Sequence, residues 1–225
     1  MKYIVANWKA NKTLADSIFW MDKFLSLLEQ DRSVKQKLDR NITVVICPPY
    51  PHLYSLKEKL KGSQGITLGA QDVSSIEKGT YTGETTALNL QGIVDFAIIG
   101  HSERRKKYNE TDQDFFAKHY QAHKNNIKSL YCIGKESDPF PSSVDFICWE
   151  PPESISTGDG RGNFKPLQEL LDFKHKLNTA APFIYGGSVN EANITTYTTS
   201  PEISGLIIGG ASLDPTRFSA LLARI

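Results

Sequence analysis

Eight short runs of apolar residues recur along the chain: Tyr3–Ala6, Ile42–Cys47, Ile66–Ala70, Phe96–Gly100, Ser129–Ile133, Val144–Trp149, Phe183–Tyr185 and Gly205–Ile208. None alternates strictly between polar and apolar positions. Nearly continuous apolar runs of this length are the pattern of strands buried on both faces of a parallel sheet. The longer stretches between them carry helix start signals. Thr13 stands before Leu14–Glu29 with Asp16 at the third helical position, a capping box. Thr111 stands before Phe115–Lys124 with Asp114 three residues on, Pro166 opens Leu167–Leu177, Asn190 precedes Glu191–Tyr197, and Asp214-Pro215 opens Thr216–Ala223. Eight strands with interleaved helices predict an α/β chain folded as a (β/α)8 barrel rather than an open doubly wound sheet. The fifth unit breaks the pattern. Between Ile133 and Val144 the chain reads Gly-Lys-Glu-Ser-Asp-Pro-Phe-Pro-Ser-Ser, and two prolines in ten residues leave room for a loop or a single turn only.

The chain has 225 residues, which at about 100–200 residues per domain suits one large domain or two small ones. A (β/α)8 barrel typically runs to about 250 residues, so the chain is short for one barrel rather than long enough for two units. The shortfall falls at Pro139 and Pro141 in the fifth crossover. The expectation is a single barrel over residues 1–225 with that helix shortened or absent. With 40% hydrophobic and 23% charged residues the composition excludes bulk disorder. Twenty-six basic against twenty-five acidic residues give a net charge of +1, which argues against nucleic acid or an anionic membrane as partner. No stretch approaches the ~18 consecutive apolar residues of a membrane span, and the apolar run after Met1-Lys2 is too short for a signal peptide. Cys47, Cys132 and Cys148 form no CxxC pair and lie in hydrophobic stretches, as buried thiols in a reducing compartment would. The expected location is the cytoplasm. No metal-ligand cluster is visible in the sequence, and neither a metal nor a cofactor is expected.

In such barrels the active site lies at the carboxyl ends of the strands, so the residues that directly follow each apolar run are the candidates. After the first run come Asn7 and Lys9; after the fourth, His101, Ser102, Glu103, Arg104 and Arg105; after the sixth, Glu150. Gly186-Gly187-Ser188 follow the seventh run and Gly209-Gly210 the eighth. Glycine turns there let backbone N–H groups cradle an anion, although they also serve as plain tight turns. His101 opens a short helical turn, whose N-terminus disfavours the imidazolium, so it is expected to be neutral and able to donate to a carbonyl. The alternative is a histidine satisfied by local backbone. A carboxylate desolvated at the end of a strand has a raised pKa and can act as a general base, which is the reading of Glu150, with a structural salt bridge as the alternative. Lys9 points into the mouth or is a solvated surface charge. After Glu150, prolines at one end and glycines at the other describe a stiff tip on two hinges, as in a lid, or else a bland surface loop.

Taken together, Asn7-Trp8-Lys9, Gly100-His101-Ser102-Glu103-Arg104-Arg105, Trp149-Glu150-Pro151, Ile155-Ser156-Thr157-Gly158, Tyr185-Gly186-Gly187-Ser188-Val189 and Gly209-Gly210-Ala211-Ser212-Leu213 resemble the triosephosphate isomerase family, in the family's order and across the whole chain. Gly69-Ala70-Gln71-Asp72 and Lys78-Gly79-Thr80-Tyr81-Thr82-Gly83-Glu84 resemble its dimerisation loop. The resemblance implies a TIM barrel that interconverts dihydroxyacetone phosphate and glyceraldehyde 3-phosphate through an enediolate. It also implies a homodimer joined through the Gln71–Glu84 loop and no cofactor. That family is itself the standing example of a glutamate base, a neutral histidine electrophile and a closing lid. By resemblance Glu150 is the base, His101 the electrophile, Lys9 the cation that attracts phosphate and steadies the enediolate, and Asn7 an oxyanion donor. The backbone at Ser156, Ser188, Gly209 and Gly210 is the phosphate cradle. Glu103 is the carboxylate that pairs with the lysine, with Ser102 beside it. The lid runs over Pro151, Pro152, Glu153, Ser154, Ile155, Ser156, Thr157 and Gly158, and Thr82 is the loop tip that a second subunit inserts beside Asn7 and His101.

Four departures stand out. Pro152-Glu153 occupies the place of the family's usual Val-Trp, and Ser154-Ile155-Ser156-Thr157-Gly158 that of Ala-Ile-Gly-Thr-Gly. Gln71-Asp72 replaces Gln-Asn, and Lys135 stands where the family commonly has Glu. Two other readings differ in what they need. Another phosphosugar enzyme would keep the glycine cradle without needing Asn7, Lys9, His101 and Glu150 together, and a non-catalytic binding protein on the same fold would need none of the four.

Overall fold

The computed structural model describes residues 1–154 and 163–225. Eight parallel strands close into a barrel in sequence order: β1 (Lys2–Asn7), β2 (Ile42–Cys47), β3 (Ile66–Ala70), β4 (Phe96–Ile99), β5 (Lys128–Ile133), β6 (Phe146–Trp149), β7 (Phe183–Tyr185) and β8 (Gly205–Ile208). Each matches one apolar run to within two residues. β1 and β8 pair with Tyr3 opposite Gly205, which completes the ring.

The helices form the outer layer. They are α1 (Leu14–Gln30), α2 (Arg32–Arg40), α3 (Leu53–Lys59), α4 (Ala87–Leu90), α5 (Ser102–Tyr108), α6 (Asp112–Lys124), α7 (Leu167–Lys176), α8 (Ile194–Thr198) and α9 (Pro215–Ala223). Both capping boxes form: Thr13 with Asp16 at the start of α1, and Thr111 with Asp114 at the start of α6. Asp214 accepts the Arg217 N–H at the start of α9. The start expected at Asn190 is corrected. Asn190 Oδ1 accepts the Ala192 N–H at 2.8 Å, an Asx turn, and the helix begins only after Asn193. The α2, α3 and α4 segments were not expected.

Alternation along the strands separates two apolar layers. Val5, Val45, Ile98, Leu130, Ile184 and the three cysteines point into the barrel. Ile4, Ala6, Val44, Ile46 and Ile99 face the helices. The cysteines are free thiols and buried. At the amino ends of the strands Tyr3 packs edge-on against Phe146 and Phe96, with ring centroids 4.6 and 5.9 Å apart. That aromatic plug leaves the carboxyl ends as the polar mouth.

Residues 134–145, the fifth crossover, hold no helix, as expected. Other contacts cover the wall there. Asp138 accepts the Gly134 N–H at 2.8 Å, and Phe140 packs against the outer layer. His119 of α6 reaches Ser129 on β5 and Ser143 in the crossover, both at 3.0 Å. One imidazole thus staples the loop where a helix would lie.

Candidate active site

Asn7, Lys9, His101, Glu150, Ser188, Gly209 and Gly210 line one cleft at the polar mouth. Each stands at the end of its strand or within a few residues after it, so the barrel itself fixes their spacing. The cleft is also lined by Asn190 and Arg217, neither of which was among the expected site residues. Arg217 is held from behind by Glu191, whose carboxyl it keeps down at about 2. No pattern in the sequence marks Arg217, because it enters from the first turn of α9 rather than from a strand end.

Lys9 has φ 53°, a left-handed backbone uncommon for a residue with a side chain. Its N–H donates to Asn7 Oδ1 at 3.1 Å, and its ammonium pairs with Glu103 Oε1 at 3.2 Å. A Cβ placed on Gly209 would lie 3.7 Å from Lys9 Cε, so the lysine stem runs beside the strand-eight turn. Lys9 is therefore not a solvated surface charge.

Glu150 is 3% exposed and holds two donors. Its Oε2 accepts the Ser102 N–H at 3.0 Å, and its Oε1 lies 3.1 Å from His101 Nε2. His101 is the cap of α5, and its Nδ1 accepts the Glu103 N–H at 3.2 Å. An acceptor at Nδ1 places the ring proton of the neutral tautomer on Nε2, facing Glu150. The direction expected for the Glu150 pKa is overturned. Burial does push its carboxyl up, but the His101 ring, the Ser102 N–H and the Lys9 charge outweigh it and hold it below the ordinary glutamate range. The His101 imidazole moves against expectation as well. Burial pushes it down, yet the Glu150 carboxylate carries it net upward. The contact between the ends of β4 and β6 is the largest opposing cause in both reversals.

The strand-seven turn has little room. A Cβ on Gly187 would collide with the Tyr185 hydroxyl and lie 2.8 Å from Ser154 Cβ. Ser188 follows with φ 35°, and its hydroxyl donates to the Ser154 carbonyl at 2.8 Å. That bond joins the strand-seven turn to the short 3-10 turn Pro152–Ser154. Glu153 pairs with Lys165 at 2.7 Å, and Lys165 pairs in turn with Glu169 at 3.0 Å.

Of the remaining expected residues, Ser102 and Glu103 sit behind the cleft as the partners just named. Pro151 is buried. Ile155, Ser156, Thr157 and Gly158 lie outside the described residues. Thr82 is exposed on the 71–84 segment and does not line the cleft of its own chain. Among the described residues, no group of three or more His, Cys, Asp or Glu side chains is placed to hold a metal ion, and no helix is long and apolar enough to cross a membrane.

Comparison with known proteins agrees with this geometry. A family described as "TIM: Triosephosphate isomerase" matches residues 2–225. A triosephosphate isomerase of Mesomycoplasma hyorhinis is 32% identical over 240 residues, covering 97% of this chain and 96% of the relative. One of Aquifex aeolicus strain VF5 is 28% identical over 251 residues, covering 98% of each chain. One of Nostoc sp. strain PCC 7120 is 32% identical over 241 residues, covering 97% of each chain. With its barrel closed, its polar mouth assembled and its sequence matched from end to end, the chain belongs to the triosephosphate isomerase family.

Proposed function

We propose that the chain is an aldose–ketose isomerase that interconverts dihydroxyacetone phosphate and D-glyceraldehyde 3-phosphate, as its family membership supports. The observation that carries the reading is the buried contact of Glu150 with His101 beside Lys9 and Asn7, a base, a hydrogen-bond donor, a cation and an amide on one rim. Proton transfer next to a carbonyl needs a base and a group that stabilises the oxygen as charge develops on it.

At rest, Glu150 is tied to Ser102 N–H and His101 Nε2. A substrate carbonyl that takes the Nε2–H displaces Oε1 and frees the carboxylate to remove a proton from the adjacent carbon. The electron pair of that C–H bond becomes the enediolate double bond, and the carbonyl oxygen gains the charge. Lys9 and Asn7 face that oxygen. Burial and the Lys9 charge favour the neutral ring against the pull of Glu150 and Glu103, and in this reading the ring donates from its neutral form. His101 then moves a proton between the two substrate oxygens, and the Glu150 carboxyl returns its proton to the neighbouring carbon. The backbone at Ser156, Ser188, Gly209 and Gly210 holds the phosphate, with Lys9 as its cation. Pro151–Gly158 serves as the lid, with Glu153 bonded to Lys165 at its first hinge.

The chain works as one barrel unit in the cytoplasm, as a homodimer whose partner inserts Thr82 beside Asn7 and His101. The test is a coupled assay of glyceraldehyde 3-phosphate isomerisation. Glu150→Gln is expected to lose activity about 1,000-fold, within the range of a general base, while keeping its fold. Full activity in Glu150→Gln, or none in the wild type, overturns the assignment.

A further inference from the structure

We infer that Gln71 is a positioning residue for Lys9. The inference rests on the role given to Lys9 above, and it concerns how that lysine is aimed.

Gln71 directly follows β3, and its side chain reaches across the mouth. Its amide nitrogen donates to the Lys9 carbonyl at 2.8 Å and to the Cys47 carbonyl at 2.9 Å. Both partners are backbone oxygens, so the orientation of the amide is fixed: the nitrogen must face them. The Cys47 carbonyl also accepts the Trp8 N–H at 3.1 Å. One side chain therefore joins the exits of β1, β2 and β3.

Lys9 needs such a clamp because its backbone lies in the left-handed region, at φ 53°. Residues with a side chain persist there only where their surroundings over-determine the conformation. Here the Lys9 N–H is held by Asn7 Oδ1 and its carbonyl by Gln71, so both ends of the residue are pinned by side chains. The direction of Cα–Cβ follows from φ and ψ. A relaxed Lys9 would swing its stem away from the strand-eight turn beside Gly209 and pull its ammonium out of the ion pair with Glu103. Gln71 touches no reacting atom in this arrangement and acts through Lys9.

The test is a double-mutant cycle with Gln71→Met, which keeps the volume and removes both donors, and Lys9→Met. Activity is read as kcat and KM for glyceraldehyde 3-phosphate, and folding by circular dichroism and thermal midpoint. Gln71→Met is expected to lower kcat/KM at least tenfold, with KM raised and kcat lowered. Lys9→Met is expected to lose more, and the double variant to match Lys9→Met within about threefold. The inference is overturned if Gln71→Met stays within twofold of wild type. It is equally overturned if the two losses multiply, which is what a purely structural role predicts. Full activity in Lys9→Met overturns the role of Lys9 first and this inference with it. Gln71→Asn, too short to reach both carbonyls, supplies the same comparison should Gln71→Met not fold.

Discussion

Gly186 stands where any side chain would press on the base. A Cβ built there lies 2.6 Å from Ile207 Cγ2, 2.9 Å from Glu150 Cγ and 3.4 Å from Cys148 Sγ. The position does not require a left-handed backbone, so the effect of Gly186→Ala is steric alone. Ordinary carbon contacts begin near 3.5 Å, so Glu150 Cγ must retreat by roughly 0.6 Å and Ile207 by roughly 0.9 Å. Overpacking a filled interior costs about 1–3 kcal/mol, and each kcal/mol lowers Tm by about 2–4 °C in a chain of this size. The kinetic loss should be larger than the loss of stability suggests. A base misplaced by 1 Å can cost about 100-fold, so a shift of over half that distance is expected to lower kcat by about 10- to 100-fold. KM should change less than kcat, because the added methyl presses on Glu150 directly and on the phosphate-holding turns only through Ile207 and the chain to Ser188. The assay is isomerase kinetics beside thermal and urea denaturation. A variant with wild-type kcat, or one whose entire loss lies in KM, would falsify the reasoning.

Three further outcomes are expected. Lys118 is 4% exposed and pairs with the half-buried Asp72 and Glu110, so Lys118→Met leaves both carboxylates with Arg104 as their nearby cation. It should destabilise by about 3 kcal/mol in urea, and a loss below about 1 kcal/mol would count against the buried pairing. The stability of the wild type relative to Glu150→Gln should depend on pH with a maximum. Glu150 is depressed, so its contribution is present above the unfolded value of about 4.3 and lost as pH falls through the folded one; His101 is raised, so its contribution is full below about 6.5 and lost as pH rises. The wild type should therefore gain most near about pH 5–6, and a difference that is flat from pH 4 to 8 would sink this account of the pair. Thr82→Arg should shift sedimentation towards monomer and reduce kcat/KM, whereas a monomeric, fully active variant would remove Thr82 from the site.

The strands were legible because a double-faced parallel sheet leaves few polar positions to obscure the runs, and the rim residues because they follow those runs closely. Helices with caps were legible too. The α2 segment was not: it buries only Val34 and Leu38 among charged residues, and Asp31 both ends α1 and starts α2. The electrostatics of Glu150 and His101 could not be read either. Burial alone predicts the wrong direction for the glutamate, and the helix terminus alone the wrong one for the histidine. The 3.1 Å approach of two residues far apart in the chain, with Ser102 and Lys9 beside them, sets both directions. Gln71 was visible only as part of a loop, because its role lies in two carbonyls contributed by other strands.

The helix-free fifth crossover gives the barrel an uneven wall. β5 and β6 pair with Cys132 opposite Cys148 and Ile133 opposite Trp149, and β6 runs straight into Glu150. On one side Trp149 is backed by the stacked ring of Phe173 at 4.0 Å, while beside β5 a histidine staple and a proline turn serve as the cover. With no helix in the crossover between β5 and β6, deuterium exchange is expected to enter the closed ring first at this seam. The thinnest part of the scaffold thus adjoins the strand that carries the base, and the breathing of the wall and the aim of Glu150 share one set of hydrogen bonds.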